Sequence, residues 1–116
     1  MKQLHTITTP DLFDAPRGSV RSTTRLGAKW RDVEIGEEIE LTIGPTDQDR
    51  NVIGKAVIVR VDYLGFDRLV RRSHIATNHS RNSRKSPALA SAMMRAYGEK
   101  FTPTSPVSVV FYRRLS

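Results

Sequence analysis

An α+β fold, with one small mixed or barrel-like sheet plugged at its ends by helices, is predicted for this chain by three observations. Strand-type runs occur at 38–43, 54–63 and 107–112. One stretch of helical period, 86–97, lies between the second and third of them. The 116 residues, 38% of them hydrophobic, are enough for one modest core and too few for two.

In 38–43, Ile39, Leu41 and Ile43 alternate with Glu38, Glu40 and Thr42, which gives one apolar and one wet face after the turn at Gly36. The run 44–51, GPTDQDRN, is a solvated turn. In 54–63, Val57, Val59, Val61 and Tyr63 fall on one face and Ala56, Ile58, Arg60 and Asp62 on the other, so a β-branched, largely buried strand is predicted, ended by Gly65. A short helical turn is expected near 66–72. Helix 86–97 has Ser86 to cap it, Pro87 in its first turn, a stripe of Leu89, Met93, Ala96 and Tyr97, and Gly98 as a left-handed stop. Met93 and Met94 read as core and gap filler. The run 107–112 follows Pro106 and is apolar on both faces, as a central strand covered on both sides would be.

The 19 Lys and Arg against 12 Asp and Glu leave a net charge of +7, and such a surplus repels itself unless an anionic partner offsets it. Nucleic acid, RNA ahead of DNA, is the expected partner, with an acidic protein as the alternative. No membrane partner is expected, because no run approaches the roughly 18 apolar residues of a spanning helix. With zero Cys there is no disulfide framework or thiolate chemistry, and a reducing cytoplasm fits. MKQLHTITTPDLFDAP lacks the apolar core of a secretory signal. Charge is uneven: 32–50 is rich in acids, whereas 68–85 holds Arg68, Arg71, Arg72, Arg81, Arg84 and Lys85 with no acid.

The succession GSVRSTTRLGAKWR, DVEIGEEIELTI, NVIGKAVIVRVDYLGF, PALASAMMRAY and PVSVVFYRRL resembles the ASCH domain, a member of the PUA-like superfamily. Gly18, Val20, Thr23 and Arg25 stand where that family has a Gly-x-Lys-x-x-Thr-x-Arg loop. Ile35 to Leu41 matches its following strand, and the chain closes with the family's helix, Tyr-containing turn and strand. The resemblance covers residues 15–115. It implies a small PUA-like β-barrel of about five or six strands with one to three helices, residues 1–14 as an N-terminal extension, and 15–116 as a single domain. It also implies a cleft lined by the early loop that binds RNA or a modified nucleobase. Some members resemble nucleoside amidohydrolases that use the motif Lys and Thr with a Glu before the last helix. Here the Lys position is Val20, Arg21 beside it cannot serve as a base, and 73–86 contains no carboxylate, so the resemblance carries the binding cleft further than the hydrolysis.

Two basic segments are therefore the candidate nucleic-acid contacts. Arg21, Thr23, Arg25, Lys29, Trp30 and Arg31 combine cations that fork onto phosphate, a hydroxyl, and an indole able either to stack on a base or to pack in the core. Arg71, Arg72, His79, Arg81, Arg84 and Lys85 resemble a phosphate-binding loop. Thr23 and Lys29 are the catalytic candidates if the chain is an enzyme, as an amidohydrolase or ribonuclease. No metal site is expected, since His74 and His79 have no carboxylate nearby to complete one, and no cofactor is expected. Asp62 and Tyr63 are a possible polar pair at the cleft. Glu34, Glu37, Glu38 and Glu40 are read as outward-facing.

Overall fold

The structure, a computed structural model, describes residues 1–6, 16–70 and 86–116, with residues 86–88 described by their backbone alone. It is a small α+β fold built on one curled, half-barrel sheet of five strands with two helices. In chain order the elements are β1 (Gln3–Thr6), β2 (Val20–Leu26), β3 (Glu38–Ile43), β4 (Asn51–Gly65), α1 (Phe66–Val70), α2 (Ser86–Tyr97) and β5 (Pro106–Arg114). The sheet order is β1-β3-β4-β5-β2. All neighbours are antiparallel except β1 and β3.

Two strands differ from the sequence expectation. Residues 3–6, expected inside an extension, form an edge strand whose single apolar residue, Leu4, is fully buried. Four residues with one apolar position are too short to register as alternation. Residues 20–26, expected as part of a cleft-lining loop, form a seven-residue strand paired along its length with β5. Its β-branched Val20, Thr23 and Thr24 suit a pleated backbone, but its polarity hides it from a search for apolar alternation.

β5 is buried on both sides, as expected for a covered central strand. Val110 and Tyr112 join Leu4, Trp30, Ile39, Leu41, Ala56 and Ile58 in one core cluster. Val107 and Val109 join Phe66, Leu69, Leu89, Met93 and Phe101 in a second, beneath the two helices. Each such side chain removed from water contributes about 1.5–3 kcal/mol. The expectation that β4 is largely buried is corrected: Ala56 and Ile58 are fully buried, whereas Val57 and Val59 are half-buried and Tyr63 is exposed. A register shift between Ile58 and Arg60 places Val59 as an extra residue against β5, so one alternation cannot run through the whole strand. Beyond it Val61 packs against the first cluster and Leu64 against the second.

α2 spans the expected residues and buries Leu89, Ala92 and Met93. Ala96 and Met94 are exposed, so Met94 is not core filler. Gly98 takes a φ of 59°, the left-handed stop read from the sequence. No helix among the described residues is long and apolar enough to cross a membrane.

The turn after β3 is tight at Gly44, where an added Cβ would lie 1.4 Å from the Asp49 carbonyl oxygen. Since backbone rather than a pliable side chain fills that space, Gly44→Ala is expected to destabilise the fold by about 1–3 kcal/mol or more. Urea unfolding measures it, and an unchanged midpoint would show that the turn is looser than described.

Candidate functional site

The half-barrel leaves β1 and β2 as its two edges, and a side chain bridges them. Strand register places Arg21, Thr23 and Arg25 on one face of β2, opposite Tyr112, Val110 and Ser108. At the end of that row the Arg25 guanidinium reaches the other edge, where Nη1 donates to the His5 carbonyl oxygen at 2.6 Å. The head is held, but two of its nitrogens are left over. Nε and Nη2 are closed off from bulk water and have no partner in hydrogen-bond geometry among the described residues, although the Tyr97 phenol lies near enough to favour the charged guanidinium as a hydrogen-bonding neighbour. These two atoms form the side-on edge of the guanidinium, the edge that grips two oxygens of one carboxylate or phosphate.

Burial lowers the Arg25 pKa from the ordinary arginine value, while the Tyr97 and Tyr112 phenols and the Asp47 carboxylate act in the opposite direction. A guanidinium keeps its proton through such a shift, so the site carries a fixed positive charge. Among the described residues no carboxylate lies within ion-pair distance of it: the two ion pairs are Arg50 with Asp47 and Arg60 with Asp62. A buried unpaired donor costs about 1–3 kcal/mol, and more when charged, so this edge is held open against the interests of stability.

Two adjoining spaces border Arg25. The larger, about 440 Å³, is walled by His5, Thr46, Asp47, Ala96, Tyr97 and Lys100. The smaller, about 200 Å³, shares His5, Arg25, Asp47 and Tyr97 and adds Gln3, Lys29 and Arg50 among its walls. Their common wall is well fixed. His5 Nε2 donates to the Thr46 carbonyl oxygen at 2.9 Å, which assigns the proton of a neutral ring to Nε2. Nδ1 then accepts from the Thr42 hydroxyl, also at 2.9 Å. This imidazole is a strut, with both nitrogens occupied. Lys29 and Lys100 are exposed and make no ion pair among the described residues.

Of the residues singled out from the sequence, Arg25, Lys29 and Trp30 meet at the smaller space of this cleft. Trp30 takes the packed-core placement of the two its context left open: it is 5% exposed, with the Lys2 ammonium 5.9 Å from its ring centre. Thr23 is fully buried opposite Val110, its hydroxyl is unpaired, and it lines neither space, so it is not brought together with Lys29. Arg21 is four residues from Arg25 along β2, about 13 Å at strand rise. Arg31 lies over the exposed Tyr63 ring at 5.2 Å, and Asp62 accepts from Arg60 Nε at 2.7 Å, so the pair at 62–63 serves local contacts away from the cleft. Arg71, Arg72, His74, His79, Arg81, Arg84 and Lys85 lie outside the described residues.

His5, Tyr97 and Lys100 were not singled out as site residues from the sequence. His5 belongs to a strand with almost no sequence signal. Tyr97 sits on the apolar stripe of α2, where a core role is the ordinary reading. Comparison with protein-family models, with curated proteins and with solved structures returns no match.

Proposed function

We propose that the chain is a nucleic-acid-binding module, RNA ahead of DNA, that holds a phosphate on Arg25 and the attached nucleoside in the cleft beside it. The observation that carries this reading is the buried Arg25 head, tied down through Nη1 with its Nε and Nη2 edge unpaired. A site that keeps a desolvated cation with no carboxylate in ion-pair contact among the described residues is suited to an anion that arrives from outside. Lys29 and Lys100 add charge, and Tyr97 offers an aromatic wall for a base. The net charge of +7 speeds encounter with a polyanion. An ASCH-like, PUA-like half-barrel is the architecture we infer for it. Binding is favoured over catalysis because Thr23 is sealed in the sheet and both His5 ring nitrogens are engaged.

The test is the salt dependence of binding to a short single-stranded RNA. Three phosphate contacts, by Arg25, Lys29 and Lys100, predict a slope of log K against log salt near about −2, at roughly 0.7 per contact. A slope near zero, or binding carried equally by an acidic protein free of nucleic acid, would overturn the reading in favour of protein docking.

A further inference from the structure

We propose that the Arg25 cleft takes a terminal phosphate, the doubly charged phosphomonoester at the end of a strand or on a mononucleotide, in preference to an internal phosphodiester. This rests on the nucleic-acid reading and narrows it.

The first support is the form of the socket. With Nη1 committed to His5, Arg25 presents one two-pronged edge, enough for two oxygens of a single group. That edge is buried, so the side chains over it must part before a ligand reaches it. An internal diester must lead the chain both toward and away from the phosphate, whereas a terminal group enters end-on. The second support is charge. Lys100 borders the larger space and Lys29 the smaller, and neither is in an ion pair among the described residues, while Asp47 is paired with Arg50. Around the two spaces Arg25, Lys29, Arg50 and Lys100 stand against the single carboxylate of Asp47, and this excess of positive charge matches a dianion better than the single charge of a diester. The third support is size: about 440 Å³ lies in the range of small-ligand sites, which suits one nucleotide.

The experiment compares one short RNA with a 5′-phosphate, with a 3′-phosphate and with neither, alongside a nucleoside monophosphate, by calorimetry at fixed salt. Expected is at least about tenfold tighter binding of a terminally phosphorylated ligand, as loss of a charge-assisted bidentate contact implies. The advantage should grow from pH 5 to 7, because the second phosphate proton leaves near about pH 6. Arg25→Lys keeps the charge without the fork and should reduce the preference to about twofold or less. If Arg25→Met unfolds the protein, Lys29→Gln with Lys100→Gln, both at exposed positions, should still diminish the preference. Which strand end wins, or whether the free monophosphate matches both, identifies the source of the phosphate in support of the proposal. Equal binding of all three strands overturns the proposal and leaves the nucleic-acid reading standing. Binding of the monophosphate with no binding of any strand supports the phosphate socket and removes the nucleic-acid reading. No binding of any ligand overturns both.

Discussion

Replacing Arg25 by Met is expected to weaken RNA binding by roughly 100-fold or more while leaving the protein folded, with a stability within about 1 kcal/mol of the parent or higher. The two consequences come from the same atoms. Nε and Nη2 are buried without partners in hydrogen-bond geometry, so their desolvation is poorly compensated in the free protein, and an apolar side chain of similar reach removes that penalty. The strongest bond lost is from Nη1 to the His5 carbonyl, about 1.5–3 kcal/mol for a donor that carries charge, and the favourable Tyr97 interaction goes with it. Gain and loss are comparable, so urea unfolding should give a stability within about 1 kcal/mol of the parent or higher, as seen when buried charges are replaced by hydrophobic groups elsewhere. Binding has no such compensation. Two charge-assisted hydrogen bonds to a phosphate amount to about 3–6 kcal/mol, so affinity should fall by roughly 100-fold or more. A variant that is destabilised by several kcal/mol yet binds normally would show that Arg25 is a seam clamp alone.

Ile58→Ala is expected to destabilise the fold by about 2–5 kcal/mol, whereas Val59→Ala next to it should cost under about 1.5 kcal/mol. Ile58 is fully buried among Leu41, Val110, Tyr112 and their neighbours, and truncation opens a cavity in the cluster that lines the half-barrel. Val59 is half-buried, opposite the point where the β4 and β5 register shifts. Chemical denaturation of both variants decides it. Equal losses would mean that both faces of the strand are buried alike, as its sequence alone suggests, without the half-exposed position the bulge gives Val59.

That pair also shows what a sequence reading reaches. Residue types at a fixed period were enough for the span of β3, for α2 from its first residue to the Gly98 stop, and for the two covered faces of β5; within β3 they misplaced Thr42, read as wet but fully buried where the register with β4 shifts. β4 was legible as a strand but not in its facing, since one inserted residue reverses inside and outside without changing composition. β1 and β2 were missed for different reasons. β1 is held chiefly by pairing to β3, which lies more than thirty residues away in sequence, and β2 is a polar strand made regular by its partner β5. The site follows the same division. Arg25 was legible as a cation in a suggestive setting, but its meaning depends on His5 and Tyr97, which long-range pairing and helix packing bring to it. Trp30 illustrates the converse, a residue suited to stacking that the core claims instead.

The central claim, that the free edge of the Arg25 guanidinium is where the ligand binds, is tested most directly by the Arg25 Nε–H resonance in a ¹⁵N-labelled sample during titration with a short single-stranded RNA. A new short bond to a phosphate oxygen should move this signal downfield and saturate along the same isotherm as overall binding. An Nε–H signal that stays in place while backbone signals elsewhere follow the isotherm would contradict the claim and put the binding surface on another face of the protein.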